Sequence, residues 1–230
     1  MTAEAEQAEV TAGLGEVRRR IADAAAAAGR NPAAVTLVAV GKSQPPGRIV
    51  AALAAGQRVF GENYVQEAVG RWPELRPAYP GVELHMIGAL QTNKAREAVG
   101  LFDVIQTVDR PRLAEAIARE AGRLGRNPRL LLQVNTGAEP QKAGVTVEAL
   151  PGLLATCRGL GLRVDGLMAI PPADEDVAPH TALLAKLARR HGLAAVSCGM
   201  SADYETAIRF GATHVRVGTA IFGARAARPA

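Results

Sequence analysis

Eight short β-prone runs alternate with Ala- and Leu-rich stretches of helical period, and this rhythm limits the possible folds more than any other feature. The runs are Val35–Gly41, Arg58–Phe60, Val82–Ile87, Val104–Thr107, Leu130–Val134, Arg163–Met168, Ala195–Cys198 and Thr213–Gly218. Between them Gly47–Ala55, Arg112–Leu124, Val145–Arg158, Thr181–Arg190 and Tyr204–Phe210 read as helices. Ahead of the first run, Val10, Leu14, Val17 and Ile21 form one apolar stripe of a helix over residues 4–29. Gly29 and Asn31-Pro32 stop it.

Strands joined by helices must be parallel, because a parallel pair needs a long crossover. The runs are apolar nearly throughout, as strands covered on both faces are. Eight strand–helix units in 230 residues predict an α/β fold, a single (β/α)8 TIM barrel with an additional N-terminal helix. A doubly wound open sheet is the alternative. No linker, low-complexity tract or break in composition divides residues 1–230, so one domain is expected. Ala55-Gly56 and Phe210-Gly211 fall where helices return to strands. Glycine there suits the left-handed residue that ends a helix.

Charge and composition narrow the partners. Lys and Arg number 27 against 22 Asp and Glu, a net charge of +5. The basic residues are dispersed, and the longest basic run, Arg18-Arg19-Arg20, reads as a solvated helix face. Aromatics make up 3% of the chain, too few for a base-stacking single-strand reader, so no nucleic-acid partner is expected. No membrane-spanning stretch is apparent. Residues 1–9 lack the basic and apolar regions of a signal peptide. Cys157 and Cys198 are far apart, and free thiols in a cytoplasmic protein are expected. No two of His85, His180, His191 and His214 have helix-ligand spacing, so no metal centre is expected. A barrel buries its own strands, which lets the chain stand as a monomer.

Barrel chemistry sits at the C-terminal ends of the strands. The residues that follow the runs are Lys42, Gly61-Glu62-Asn63, Gly88 with Gln91 and Asn93-Lys94, Asn135 and Lys142, Met168, Gly199-Met200-Ser201 and Gly218-Thr219. Lys42 closes an apolar run, and desolvation of an amine favours its neutral form, a nucleophile toward carbonyls. The alternative is a lysine whose ammonium reaches back to solvent. Loops after strands seven and eight of barrels often bind phosphate. Here they carry glycines, whose backbone N–H groups can approach an anion, and the hydroxyls of Ser201 and Thr219.

An amine beside a phosphate cradle fits two chemistries. One is a Schiff-base aldolase of phosphorylated sugars, with Glu62 as its acid/base partner. The other is a site for pyridoxal 5′-phosphate. Strand alternation puts His214 and Arg216 on one face. If that face is inward, Arg216 reaches a ring nitrogen lying between lysine and phosphate sites. Arginine keeps its proton, so the ring would stay a poor electron sink. His85 reads as a strand residue near the pocket and is counted among the cofactor-binding residues, with a satisfied structural histidine as the alternative.

The strings Leu37-Val38-Ala39-Val40-Gly41-Lys42, Phe60-Gly61-Glu62-Asn63-Tyr64-Val65-Gln66-Glu67 and His85-Met86-Ile87-Gly88 with Leu90-Gln91-Thr92-Asn93-Lys94 match a known family. So do Gln133-Val134-Asn135 with Lys142-Ala143-Gly144, Gly166-Leu167-Met168-Ala169-Ile170-Pro171, Gly199-Met200-Ser201 and Val215-Arg216-Val217-Gly218-Thr219-Ala220-Ile221-Phe222-Gly223. Over residues 35–223 the chain resembles the pyridoxal phosphate homeostasis proteins, single-domain relatives of the alanine racemase N-terminal barrel. The resemblance implies a barrel that carries pyridoxal 5′-phosphate as a Schiff base on Lys42. It implies phosphate contacts at Ser201, Gly218 and Thr219 with Met200 alongside, Arg216 near the ring nitrogen, and Asn63 lining the pocket. The implied role is intracellular homeostasis of the cofactor, buffering it and delivering it to apoenzymes, without strong catalysis.

The sequence departs from that family in places. Gln44 stands where many members have a second lysine, which puts a role for that lysine in passing the cofactor on in doubt. Lys142 matches another lysine linked to cofactor handling. Cys198 stands where members often have methionine, and a change of packing alone is expected. The alternative function is an amino-acid racemase, which needs acid/base groups on both faces of the substrate. In two-domain racemases a tyrosine from the partner's C-terminal domain serves one face. The present sequence ends at residue 230, and none of Tyr64, Tyr79 and Tyr204 is placed by sequence opposite Lys42.

Overall fold

Among the described residues eight strands form and all pair in parallel: β1 Thr36–Val40, β2 Val59–Glu62, β3 Glu83–Met86, β4 Val104–Val108, β5 Arg129–Gln133, β6 Val164–Met168, β7 Ala195–Met200 and β8 His214–Val217. Each pairs with the next, and β8 returns to β1, with Thr36 opposite His214 and Ala39 opposite Val217. That last pairing excludes the open sheet, which would leave β1 and β8 unpaired with each other. This computed structural model describes residues 2–42 and 44–223. Met1, Ser43 and residues 224–230 of the expected domain lie outside the described residues.

The helices are α1 Ala3–Ala27, α2 Pro46–Ala54, α3 Val65–Ala78, α4 Ala95–Leu101, α5 Pro111–Leu124, α6 Leu150–Gly159, α7 Val177–Arg190, α8 Tyr204–Arg209 and α9 Thr219–Phe222. The helix expected from Val145 begins instead at Leu150. Val145 extends the sheet locally, bridging to Val134 and donating its N–H to the Gln133 carbonyl at 2.8 Å. The β-branched pair Thr146-Val147 suits extended backbone, and Pro151 is placed in the first turn of α6, where its missing N–H costs nothing. Gly56 and Gly211 adopt φ of +81° and +109°, the left-handed conformation expected at those helix ends.

Strand alternation sorts the side chains. Leu37, Ala39, Phe60, Leu84, Ile105, Leu130, Leu132, Val215 and Val217 join the main core between strands and helices. Val104, Leu131 and Met168 form a separate small cluster inside the barrel. Much of the remaining interior is polar, with His85, Gln106, Gln133, Ser197 and Arg216 all buried. α1 buries Val10, Leu14, Val17 and Ile21 and packs on α2, α8 and α9. On its outer face Arg19 pairs with Glu16 and Asp23. No helix among the described residues is long and apolar enough to cross a membrane.

Candidate functional site

A cavity of about 400 Å³ opens at the C-terminal ends of the strands. Val40, Lys42 and Gln44 line it from the β1 side, Asn63 from β2 and Ile87 from β3. Ile170 follows β6, Met200, Ser201 and Ala202 follow β7, and Arg216, Gly218 and Thr219 belong to β8 and its loop. Lys42, Asn63, Met200, Ser201, Arg216, Gly218 and Thr219, dispersed in sequence, therefore meet in one place.

His85 does not reach that lining. It points into the barrel one pleat below Ile87, because residues two apart share a face. Gln91, Asn93, Lys94, Asn135, Lys142 and Met168 are likewise absent from the lining. Lys142 pairs with Glu139 at 2.6 Å, and Asn135 donates to the Glu139 carbonyl at 2.8 Å, closing its own loop.

The lysine turn is held from behind. Gln44 N–H donates to the Gly41 carbonyl at 3.1 Å across Lys42. Arg71 of α3 donates to the carbonyls of Gly41 at 3.2 Å and Gln44 at 3.0 Å. Its anchor is Glu62, at 2.7 Å, which also accepts from the Trp72 indole at 2.9 Å. Glu62 is fully buried behind the barrel wall, so it is not the cavity acid expected of an aldolase. Burial pushes its carboxyl pKa up, against the opposing pull of Arg71 and Trp72. Lys42 is half-buried, with Nζ 5.5 Å from the centre of the Tyr64 ring, a distance at which a cation is drawn to a ring face.

A bulge in β7 builds the opposite rim. Ser197 pairs with His214 but Met200 with Arg216, so β7 spends one more residue than β8. Gly199, in the bulge, has φ of +94°, and a Cβ there would lie 2.6 Å from Ala207 Cβ. Only glycine fits both demands. Beyond it, Met200 N–H donates to Asp203 at 2.6 Å, and Ser201 Oγ accepts from Gly218 N–H at 3.3 Å. Ser201, Gly218 and Thr219 thus share one wall. Asn63 is placed by Gly88, where any Cβ would collide with the Asn63 carbonyl.

Arg216 forms the floor. It is 4% exposed and donates to Ser197 Oγ at 2.7 Å and the Ala169 carbonyl at 2.9 Å. Burial pulls its pKa below the ordinary arginine value. Beneath it Ser197 donates to Gln106 Oε1 at 2.7 Å, and Gln106 Nε2 lies 2.6 Å from His85 Nδ1. His85 Nε2 lies 2.6 Å from Glu83, which also pairs with Arg129. The His85 bond holds the Glu83 carboxyl down to about 2, while burial lowers the His85 pKa. The His214 ring lies 6.1 Å from that of His85, and burial brings its pKa down to about 4.

Sequence reasoning missed Arg71, Gln106 and the lining role of Ile170, and read Gln44 only as a departure. A glutamine inside Val104-Ile105-Gln106-Thr107-Val108 was the available signal: a buried amide needs partners.

The sequence of residues 13–226 matches the family model of the alanine racemase N-terminal domain. The pyridoxal phosphate homeostasis protein of Pseudomonas aeruginosa is 45% identical over 222 residues, 92% of this chain and 94% of that protein. The chain belongs to the pyridoxal phosphate homeostasis family. The structure of PipY from Synechococcus elongatus with pyridoxal phosphate bound superposes with a TM-score of 0.78 at 38% identity, covering 93% of this chain and 100% of that one. Alanine racemase from Corynebacterium glutamicum shares the barrel fold, with a TM-score of 0.69 at 19% identity over 96% of this chain and 62% of its own. Family and barrel agree with the family and fold that the sequence strings imply.

Proposed function

We propose that the chain binds pyridoxal 5′-phosphate in this cavity and serves its homeostasis, buffering the free aldehyde and delivering it to apoenzymes. The observation that carries this reading is the convergence of an amine, an arginine and a hydroxyl-lined wall on one cavity of about 400 Å³. That donor set suits three of the ligand's polar features, its aldehyde, its phosphate and its ring nitrogen. Lys42 would hold the aldehyde as a Schiff base, with water leaving. Ser201, Thr219 and the Gly218 backbone would hold the phosphate, and Arg216 would face the ring nitrogen. Asn63, Ile87 and Met200 would bound the ring.

Bound pyridoxal phosphate supplies an electron sink for carbanions. Arg216 keeps its own proton and would leave the ring nitrogen unprotonated, which weakens that sink. Among the lining side chains, Lys42 and Arg216 alone are ionisable, and arginine does not give up its proton. Racemisation needs a second proton-exchanging group across the site. Tyr64 lies against Lys42 itself, Tyr79 stands beside Arg58, and Tyr204 is buried beside Arg20. These features favour a carrier over a racemase. His85 acts in this reading through the barrel interior and touches no ligand. A monomer of one barrel domain suffices for the role, and two buried free thiols suit the cytoplasm.

The visible spectrum tests the reading. The purified protein, or the protein with added pyridoxal phosphate, should absorb as a yellow chromophore that borohydride fixes onto Lys42, and Lys42→Ala should abolish it. Protein that stays colourless with added cofactor would overturn the proposal. Transfer to an apoenzyme should outpace release by dilution. Steady conversion of L- to D-alanine that depends on Lys42 would favour the racemase instead.

A further inference from the structure

Arg216 is a buried cation with no carboxylate hydrogen-bonded to it among the described residues. Its guanidinium donates to one hydroxyl and one carbonyl. Asp203 acts on it only through space, and a hydrogen-bonded route to a carboxylate runs down the barrel axis through Ser197, Gln106 and His85 to Glu83. We propose that Gln106 and Ser197 are positioning residues that hold Arg216 as a donor facing the cavity, by fixing the polarity of this chain. The inference rests on the proposed function, because it assigns what Arg216 is held for.

The polarity follows from the two ends. Glu83 is ionised and can only accept, so His85 Nε2 carries the proton. A neutral ring then has a bare Nδ1, which must accept from the Gln106 amide nitrogen. The amide oxygen is left for the Ser197 hydroxyl, whose own oxygen is left for Arg216. Arginine can only donate, so every link points from the cavity to the barrel base. Reversing the Gln106 amide would set its nitrogen against Ser197 and require a proton on His85 Nδ1. Burial opposes that second proton on the ring. The amide therefore has one favoured orientation, and the serine and arginine inherit theirs from it.

The free protein gives the first reading. Long-range ¹H–¹⁵N spectra of the imidazoles should show His85 neutral, with the proton on Nε2. A proton on Nδ1 would overturn the chain as drawn. Titration with pyridoxal phosphate, followed by absorbance, gives the second. Gln106→Leu should bind about tenfold more weakly, the scale of a lost hydrogen bond to a charged network, and the bound chromophore's absorbance and its pH dependence should shift. A residue needed only for packing would lower the melting temperature without moving the bound spectrum.

Gln106→Glu keeps an acceptor for Ser197, so it should restore affinity to within about threefold while converting His85 to the imidazolium. If Gln106→Leu does not fold, Ser197→Ala removes the same link and should show the same loss and spectral shift. Unchanged affinity and spectrum in the folded variant, with the parent binding normally, would overturn this inference and leave the proposed function standing. A parent that binds no pyridoxal phosphate would overturn both.

Discussion

Glu62 and Arg71 form a buried ion pair, Oε1 to Nη1 at 2.7 Å, on which the Lys42 turn rests. The pair contributes nothing to the cavity surface. Its effect is to set two backbone carbonyls, those of Gly41 and Gln44, on either side of the lysine.

Arg71→Met should therefore damage stability and cofactor capture together. Leaving a buried carboxylate unpaired costs about 3 kcal/mol or more, readable as a lower urea midpoint. Adding Glu62→Leu should return part of that stability, because a buried pair is often replaceable by apolar packing. Borohydride trapping at Lys42 should stay slow in the double variant, since the carbonyls remain unheld.

Gly199→Ala should strain the β7 bulge. Left-handed backbone at a non-glycine residue costs about 1–3 kcal/mol, and the contact with Ala207 adds to it. The urea midpoint should fall. Inorganic phosphate, used as a competitor of pyridoxal phosphate, should lose more affinity than in a surface control such as Gly122→Ala, where a Cβ meets nothing.

Acid should weaken the fold in two windows. His214 is lowered from 6.5 to about 4, so the unfolded chain takes up the proton first. The stability present above pH 6.5 is lost as pH falls toward 4. Glu83 is lowered from 4.5 to about 2, and the stability it confers above pH 4.5 is lost as pH falls toward 2. Urea midpoints between pH 8 and 4 should fall less in His214→Asn than in the parent. An equal slope would refute the assignment.

Both thiols should resist disulfide reagents in the native state. Burial raises Cys157 to about 11 and also pushes Cys198 up, and reaction needs the thiolate. Both should react on unfolding in urea. Rapid native-state labelling of either would contradict their placement.

The strands were legible because burial on both faces writes continuous apolar runs, such as Leu130–Leu132, which periodicity finds without tertiary knowledge. Lys42, Asn63, Met200, Ser201 and Thr219 were legible because they follow runs, and Arg216 because strand alternation gives it a face. His85 was misplaced because strand position fixes a face of the sheet but not a depth along the barrel axis. Arg71 was invisible for a related reason: it acts on backbone atoms 27 to 30 residues away, and a carbonyl leaves no mark in sequence. Gln106 needed its partners on two other strands, His85 and Ser197, before its meaning appeared.

Helix α1 packs on α8 and α9, the last helices described, and the barrel closes through β1 and β8, far apart in the chain. A nascent chain therefore exposes the apolar stripe of Val10, Leu14, Val17 and Ile21 before most of its partners have been synthesised. Closure of so long a loop is slow, and unsatisfied apolar surface at that stage invites aggregation. The first helix must wait for α8 and α9 before its stripe is covered, and chaperone protection matters most over that interval.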